Sequence, residues 1–132
     1  MITLDIRSNA STELQDITPV VQRAVGESGV QEGVCLLFVP HTTAALTLNE
    51  NWDSDVGRDI LLTVNDLAPP DPRHRHREGN SPAHIKSSLL GVSAFLFVSR
   101  GRLQLGNWQG IYLAEFDGPR TRRVWLAVLP IT

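Results

Sequence analysis

The chain has 132 residues, 42% hydrophobic and 20% charged, which supplies a real core for one domain over 1–132 and excludes a disordered chain. Twelve basic and 14 acidic side chains leave a net charge of −2, so no global basic field draws in nucleic acid. Basic residues do gather locally, at Arg73, Arg75 and Arg77 and again at Arg120, Arg122 and Arg123.

The opening "MITLDIRS" alternates apolar and polar and predicts a strand over 2–7, with Ile2, Leu4 and Ile6 on one face. It does not read as a secretion signal, and no apolar run approaches the ~20 residues of a membrane span. "DITPVVQRAVGESG" predicts a helix capped by Thr18, with Pro19 at its first position, Val20, Val21, Ala24 and Val25 inward, and Gly29 as its end. Val34–Val39 is an apolar run that predicts a buried strand, with the lone Cys35 as a core thiol. A single cysteine excludes an intrachain disulfide and, with the missing signal, leads us to expect a soluble cytoplasmic protein.

After the kink at "HTTA", the stretch "ALTLNE" resumes alternation as a further strand. A helix is predicted from about Asp53 to Asn65, with Trp52, Val56, Ile60 and Leu61 inward. "PPDPRHRHREGN" is a polar loop long enough to suspect function. "SPAHIKSSLLG" predicts a short helix capped by Ser81 and stopped by Gly91. Three strand candidates, "VSAFLFVS", "GIYLAEF" and "RRVWLAVLPI", close the chain around a hairpin-like "RGRLQLGNWQG". This order implies an α+β fold built on a mainly antiparallel sheet or sandwich with two to three helices.

Four histidines, at 41, 74, 76 and 84, all fall outside the predicted core. Three neutral imidazoles with an open position suit zinc or a similar ion, but the spacing alone also allows four hydrogen-bonding surface histidines. The helix start at "NSPAHIK" offers free N–H groups beside Lys86, which suits a phosphate or is an ordinary capped helix. In "EFDGPRTRR", Glu115 and Asp117 lie near arginines whose forks match carboxylate or phosphate, or simply flank a solvated turn. Trp108 and Gln109 between glycines form a stacking surface with an amide reader for a heterocycle, or a turn with a core Trp. Glu50 is a further candidate base. No P-loop, G-x-G-x-x-G, G-x-S-x-G, C-x-x-C or H-E-x-x-H is present.

Taken together, "DIT", "HTTAALTLNE", "EGNSPAHIKSSLLG", "GRLQLGNWQGIYLAEFDGPR" and the following "RR" resemble the YjbQ-like family, also called the secondary thiamine-phosphate synthase family. The resemblance runs over nearly the whole chain, in order. It implies a compact YjbQ-like α+β fold, a homotrimer, and a pocket near the subunit boundary that takes a small phosphorylated metabolite and a divalent metal, zinc above others. It also implies a side activity that joins a pyrimidine diphosphate to a thiazole phosphate, with a non-catalytic metal- or metabolite-binding trimer as the alternative. The matching positions are His41, Thr42, Thr43, Asn49, Glu50, Asn80, His84, Lys86, Gly106, Trp108, Gln109, Glu115 and Arg120.

His41 and His84 from this set, together with His76, are the implied metal ligands, and Glu50 and Glu115 the catalytic carboxylates. Thr42, Thr43, Asn80, Lys86, Trp108, Gln109 and Arg120 are the implied substrate contacts. The family's aromatic-x-histidine before the second block is replaced here by "RHRHREGN". Either His74 or His76 stands for its histidine, and the distance to "EGN" favours His76.

Overall fold

A computed structural model describes residues 1–131. Eight strands form two antiparallel sheets: β1 (Ile2–Arg7), β2 (Glu13–Asp16), β3 (Gly33–Phe38), β4 (Ala44–Glu50), β5 (Ser93–Ser99), β6 (Arg102–Leu103), β7 (Gln109–Glu115) and β8 (Thr121–Pro130). Three helices complete the fold: α1 (Thr18–Glu27), α2 (Ser54–Leu67) and α3 (Ser81–Leu90). The larger sheet runs β1-β8-β3-β5-β6 and the smaller β2-β7-β4. The α+β reading of the sequence therefore holds.

Strand periodicity sets the layers. Ile6, Cys35, Leu37, Leu96, Val98, Val124 and Leu126 turn from the larger sheet toward Leu46, Ile111 and Leu113 of the smaller one. Ile17, Val21, Ala24 and Val25 of the α1 segment join this core. The smaller sheet's other face, with Ala45, Ala114 and the adjoining Phe116, is covered by Ala83, Leu61, Val64 and Leu90 of α2 and α3. The core thiol is confirmed: Cys35 is fully buried and burial pushes it up to about 11.

Several local expectations are corrected. Strand β2 was not expected, because "ELQD" lacks apolar alternation; it exists by pairing Glu13–Asp16 with Tyr112–Glu115. Thr18 is the first residue of α1 rather than its cap, and its hydroxyl accepts from Ile111 N at 2.8 Å. Val20 lies toward solvent. Asn80 occupies the cap position of α3, so Ser81 is helical. Trp52 precedes α2, whose cap is Asp53, and is 79% exposed. Gly29 and Gly91 end their helices as expected, with φ of 73° and 94° that suit glycine.

Candidate functional site: a histidine groove and a tryptophan recess

His41 lies between the end of β3 and the start of β4, where the chain crosses from one sheet to the other. Its Nε2 accepts a hydrogen bond from Arg123 N at 2.9 Å. Burial, and then the charge of Arg122, lower its basicity below the ordinary histidine value; Glu115 opposes this, while Arg120 and Arg123 reinforce it. A neutral ring that accepts at Nε2 carries its proton on Nδ1. His41 is thus an N–H donor, with its one lone pair already engaged.

A groove of about 520 Å³ runs from His41 and Thr42 to His84, Ser87, Ser88 and Gly91 on α3. Ser87 is 4% exposed and its Oγ has no hydrogen-bond partner. The His84 ring meets that of His76 edge-on, 5.2 Å between centroids. His74 is not part of that pair; its ring lines a small recess with Pro70, Asp71, His76 and Pro82. Among the described residues, no three His, Cys, Asp or Glu side chains form a ready ligand cluster.

Below the groove lies a charged network. Glu115 is fully buried and accepts from Ser8 Oγ at 2.7 Å, Asp117 N at 3.0 Å and both Nε and Nη2 of Arg122. Arg122, 2% exposed, also donates to Thr43 Oγ1 at 2.8 Å and to the Thr43 carbonyl at 3.2 Å. One arginine therefore fixes the strand start next to His41. Arg120 and Asn80 meet at Asp117: its Oδ2 accepts from Asn80 Nδ2 at 2.9 Å and from Arg120 Nη2 at 3.2 Å. Asn80 Oδ1 is buried and unpartnered.

Lys86 is 6% exposed and turned away from the groove. Its Nζ donates to Asn65 Oδ1 at 2.7 Å and lies 5.2 Å from the Phe116 ring centre. Burial lowers its basicity.

Glu50, Trp108 and Gln109 lie elsewhere. They line a second recess, of about 250 Å³, with Leu48, Asn49, Gly106 and Asn107. It adjoins the far end of β4, whose seven residues span about 20 Å. The predicted site residues thus form two groups at opposite ends of one strand. Sequence reasoning missed Ser8 and Asn65, and it noted Asp117 and Arg122 beside their neighbours without giving them a place in the site. The parity of β8 offered a signal for Arg122, since it shares a face with the buried Val124 and Leu126.

The fold and groove define an α+β two-sheet protein with a histidine-lined crevice over the seam between its sheets. The chain belongs to the UPF0047, or YjbQ-like, family, whose model matches residues 2–130. It is 47% identical over 124 residues to the UPF0047 protein of Methanocaldococcus jannaschii, covering 94% of this chain and 90% of that protein. It is 45% identical over 128 residues to YugU of Bacillus subtilis, covering 96% and 97%. The crystal structure of a YjbQ/UPF0047 family protein from Clostridium acetobutylicum is similar at TM-score 0.94 and 46% identity, covering 98% of this chain and 100% of that one. A protein of unknown function from Sulfolobus solfataricus matches at TM-score 0.92 and 34% identity, covering 98% and 96%.

Proposed function

We propose that the chain works as a homotrimeric transferase on phosphorylated heterocycles, of the secondary thiamine-phosphate synthase type. The observation that carries this reading is the buried, unpartnered Ser87 hydroxyl in a groove that also holds His41 as an N–H donor. Ser87 Oγ is closed to solvent as it stands, so a ligand oxygen reaches it by a rotation of the side chain, which then gives the hydroxyl its missing partner. Joining a pyrimidine diphosphate to a thiazole phosphate forms a carbon–nitrogen bond as the carbon–oxygen bond to diphosphate breaks. The protein's task is to hold both rings and stabilise the departing anion. His41 and Ser87 donate to that anion, with Thr42 at the groove wall.

The resemblance adds a divalent metal. His76 and His84 are close enough to suit a two-histidine seat, whereas His41 joins them only by giving up Arg123 N. When bound, the ion supplies positive charge against the diphosphate. Glu115, saturated by Arg122, Ser8 and Asp117 N, serves as a positioning residue through Thr43. Glu50, Trp108 and Gln109 serve the heterocycle, and a neighbouring subunit brings them to the groove. The outer face of the larger sheet supports assembly: Leu36, Phe38, Phe95, Phe97 and Leu129 lie 42% to 64% exposed there, a patch that favours a partner surface.

A binding trimer without turnover is favoured by one observation: among the described residues, no carboxylate lines the groove. A coupling assay with the two thiamine precursors, beside calorimetry with pyrophosphate, tests both readings. Product whose formation is lost in His84→Ala supports the transferase; tight pyrophosphate binding without product supports the binder.

A further inference from the structure

The recess at the far end of β4 has its own chemistry. Glu50 and Gln109 are the last pair between β4 and β7. Asn51 N then donates to Trp108 O at 2.9 Å, which brings the next side chain, Trp52, against the Trp108 ring. Their centroids are 5.9 Å apart with the rings tilted by 59°. Both remain open to water, Trp52 at 79% and Trp108 at 56%. Two tryptophans exposed side by side are a large apolar surface left uncovered, which favours a ligand or partner contact.

Among the described residues, Glu50 is the one ionisable side chain that lines the recess. Glu50 Oε2 accepts only a long bond, 3.3 Å, from Asp53 N, and its Oε1 has no partner among the described residues. No lysine or arginine lines the recess. Gln109 spends its Oε1 on Gly106 N at 2.8 Å, which leaves its amide nitrogen unengaged. A phosphate gains only the Gln109 amide N–H and is repelled by Glu50. A flat cation gains twice, from the negative face of an indole and from the carboxylate.

We infer that this recess binds a planar, positively charged heterocycle, with Trp108 as the stacking face, Trp52 as its brace and Glu50 as the counter-charge. The inference rests on Trp108 as the ring-binding surface and adds the charge of the ring. Its test therefore uses a probe without phosphate, so it can fail while anion binding at the histidine groove stands, and the reverse.

The test titrates the full chain with 1-methylnicotinamide and with nicotinate, rings of like size and opposite charge, and follows tryptophan fluorescence. Saturable quenching by the cation is expected, with affinity about tenfold or more above that for nicotinate. Glu50→Gln keeps the side-chain size and should remove about that preference. Trp52→Phe with Trp108→Ala removes the reporter rings, so it is read by calorimetry, which should show no binding of the cation while circular dichroism reports an unchanged fold. Equal affinity for the two rings, linear quenching without saturation, or a preference that survives Glu50→Gln would overturn the inference. A change of assembly state in the tryptophan variant, with no ring bound by the parent protein, would overturn it as well.

Discussion

The backbone N–H of Arg123 is bonded to His41 Nε2 at 2.9 Å, so a peptide group on the last strand selects the tautomer of a ring some eighty residues earlier. Long-range proton–nitrogen NMR spectra of the imidazoles should show His41 as the Nδ1–H form. Its titration midpoint should fall below the ordinary 6.5, because burial and Arg122 disfavour the imidazolium. The linkage sign follows. The unfolded chain binds the proton more readily, so this residue's contribution to stability is constant above about 6.5 and declines as pH falls below it. A midpoint above 6.5 or an Nε2–H signal would contradict the arrangement.

Glu115 and Arg122 form a buried pair of the kind whose disruption is costly. Burial alone raises the Glu115 carboxyl, but the hydrogen bonds from Arg122, Asp117 N and Ser8 outweigh it and hold the group below its ordinary 4.5. Its stabilisation is therefore complete above that value and is lost as pH falls through the lower, folded one. Arg122→Met should destabilise the chain by about 3–5 kcal/mol. Adding Glu115→Leu should recover much of the loss, since it removes the stranded charge. Urea melts of the single and double variants check this, and the double variant should lose stability less steeply in acid.

Ser87→Ala separates folding from binding. The hydroxyl is buried without a partner, so its removal should leave stability unchanged or raise it by up to about 1 kcal/mol. Pyrophosphate affinity at the groove should fall about fivefold, the worth of one hydrogen bond. Thermal melts and calorimetry on the same protein read the two effects apart.

Much of this fold was legible because the chain follows simple periods. Strands β1, β3, β4, β5, β7 and β8 each announce themselves by alternation or an apolar run, and Gly29 and Gly91 mark helix ends. Strand β2 was illegible because four polar-leaning residues form a strand only where β7 offers a free edge. Trp52 misled because a bulky aromatic beside a helix start reads as core, whereas a backbone bond to Trp108 O carries it outward. Lys86 resembled a phosphate ligand in a motif of polar residues, but the 3.6-residue period turns it toward Asn65 and Phe116. His41 and His84 share one crevice and His76 meets His84, while His74 lines a separate recess; what sequence could not give was which lone pair is spent. Glu115 was found as a carboxylate, and its pairing with Arg122 was recoverable in principle, since an acid within an apolar strand calls for a buried base.

Phe95→Asp with Phe97→Asp tests the outer sheet face. Both rings stand exposed on β5 and meet edge-on at 5.9 Å. Sedimentation should show the parent chain as a trimer and the variant as a monomer, with the strand content by circular dichroism retained. A parent protein that sediments as a monomer, or a variant that stays assembled, would remove this face from the interface.

Strand β5 carries one more consequence. Leu96 and Val98 are buried on one side of it while Phe95 and Phe97 stand out on the other, so "AFLFV" is apolar on both faces. Strand β6 pairs only with Val98 and Ser99, which leaves the earlier part of that edge unpaired by it. Such a segment has the makings of a cross-β seed. On the proposed trimer reading, a newly made copy is most at risk of fibrillar self-association before it assembles, and Phe95→Lys would act as a gatekeeper against that fate.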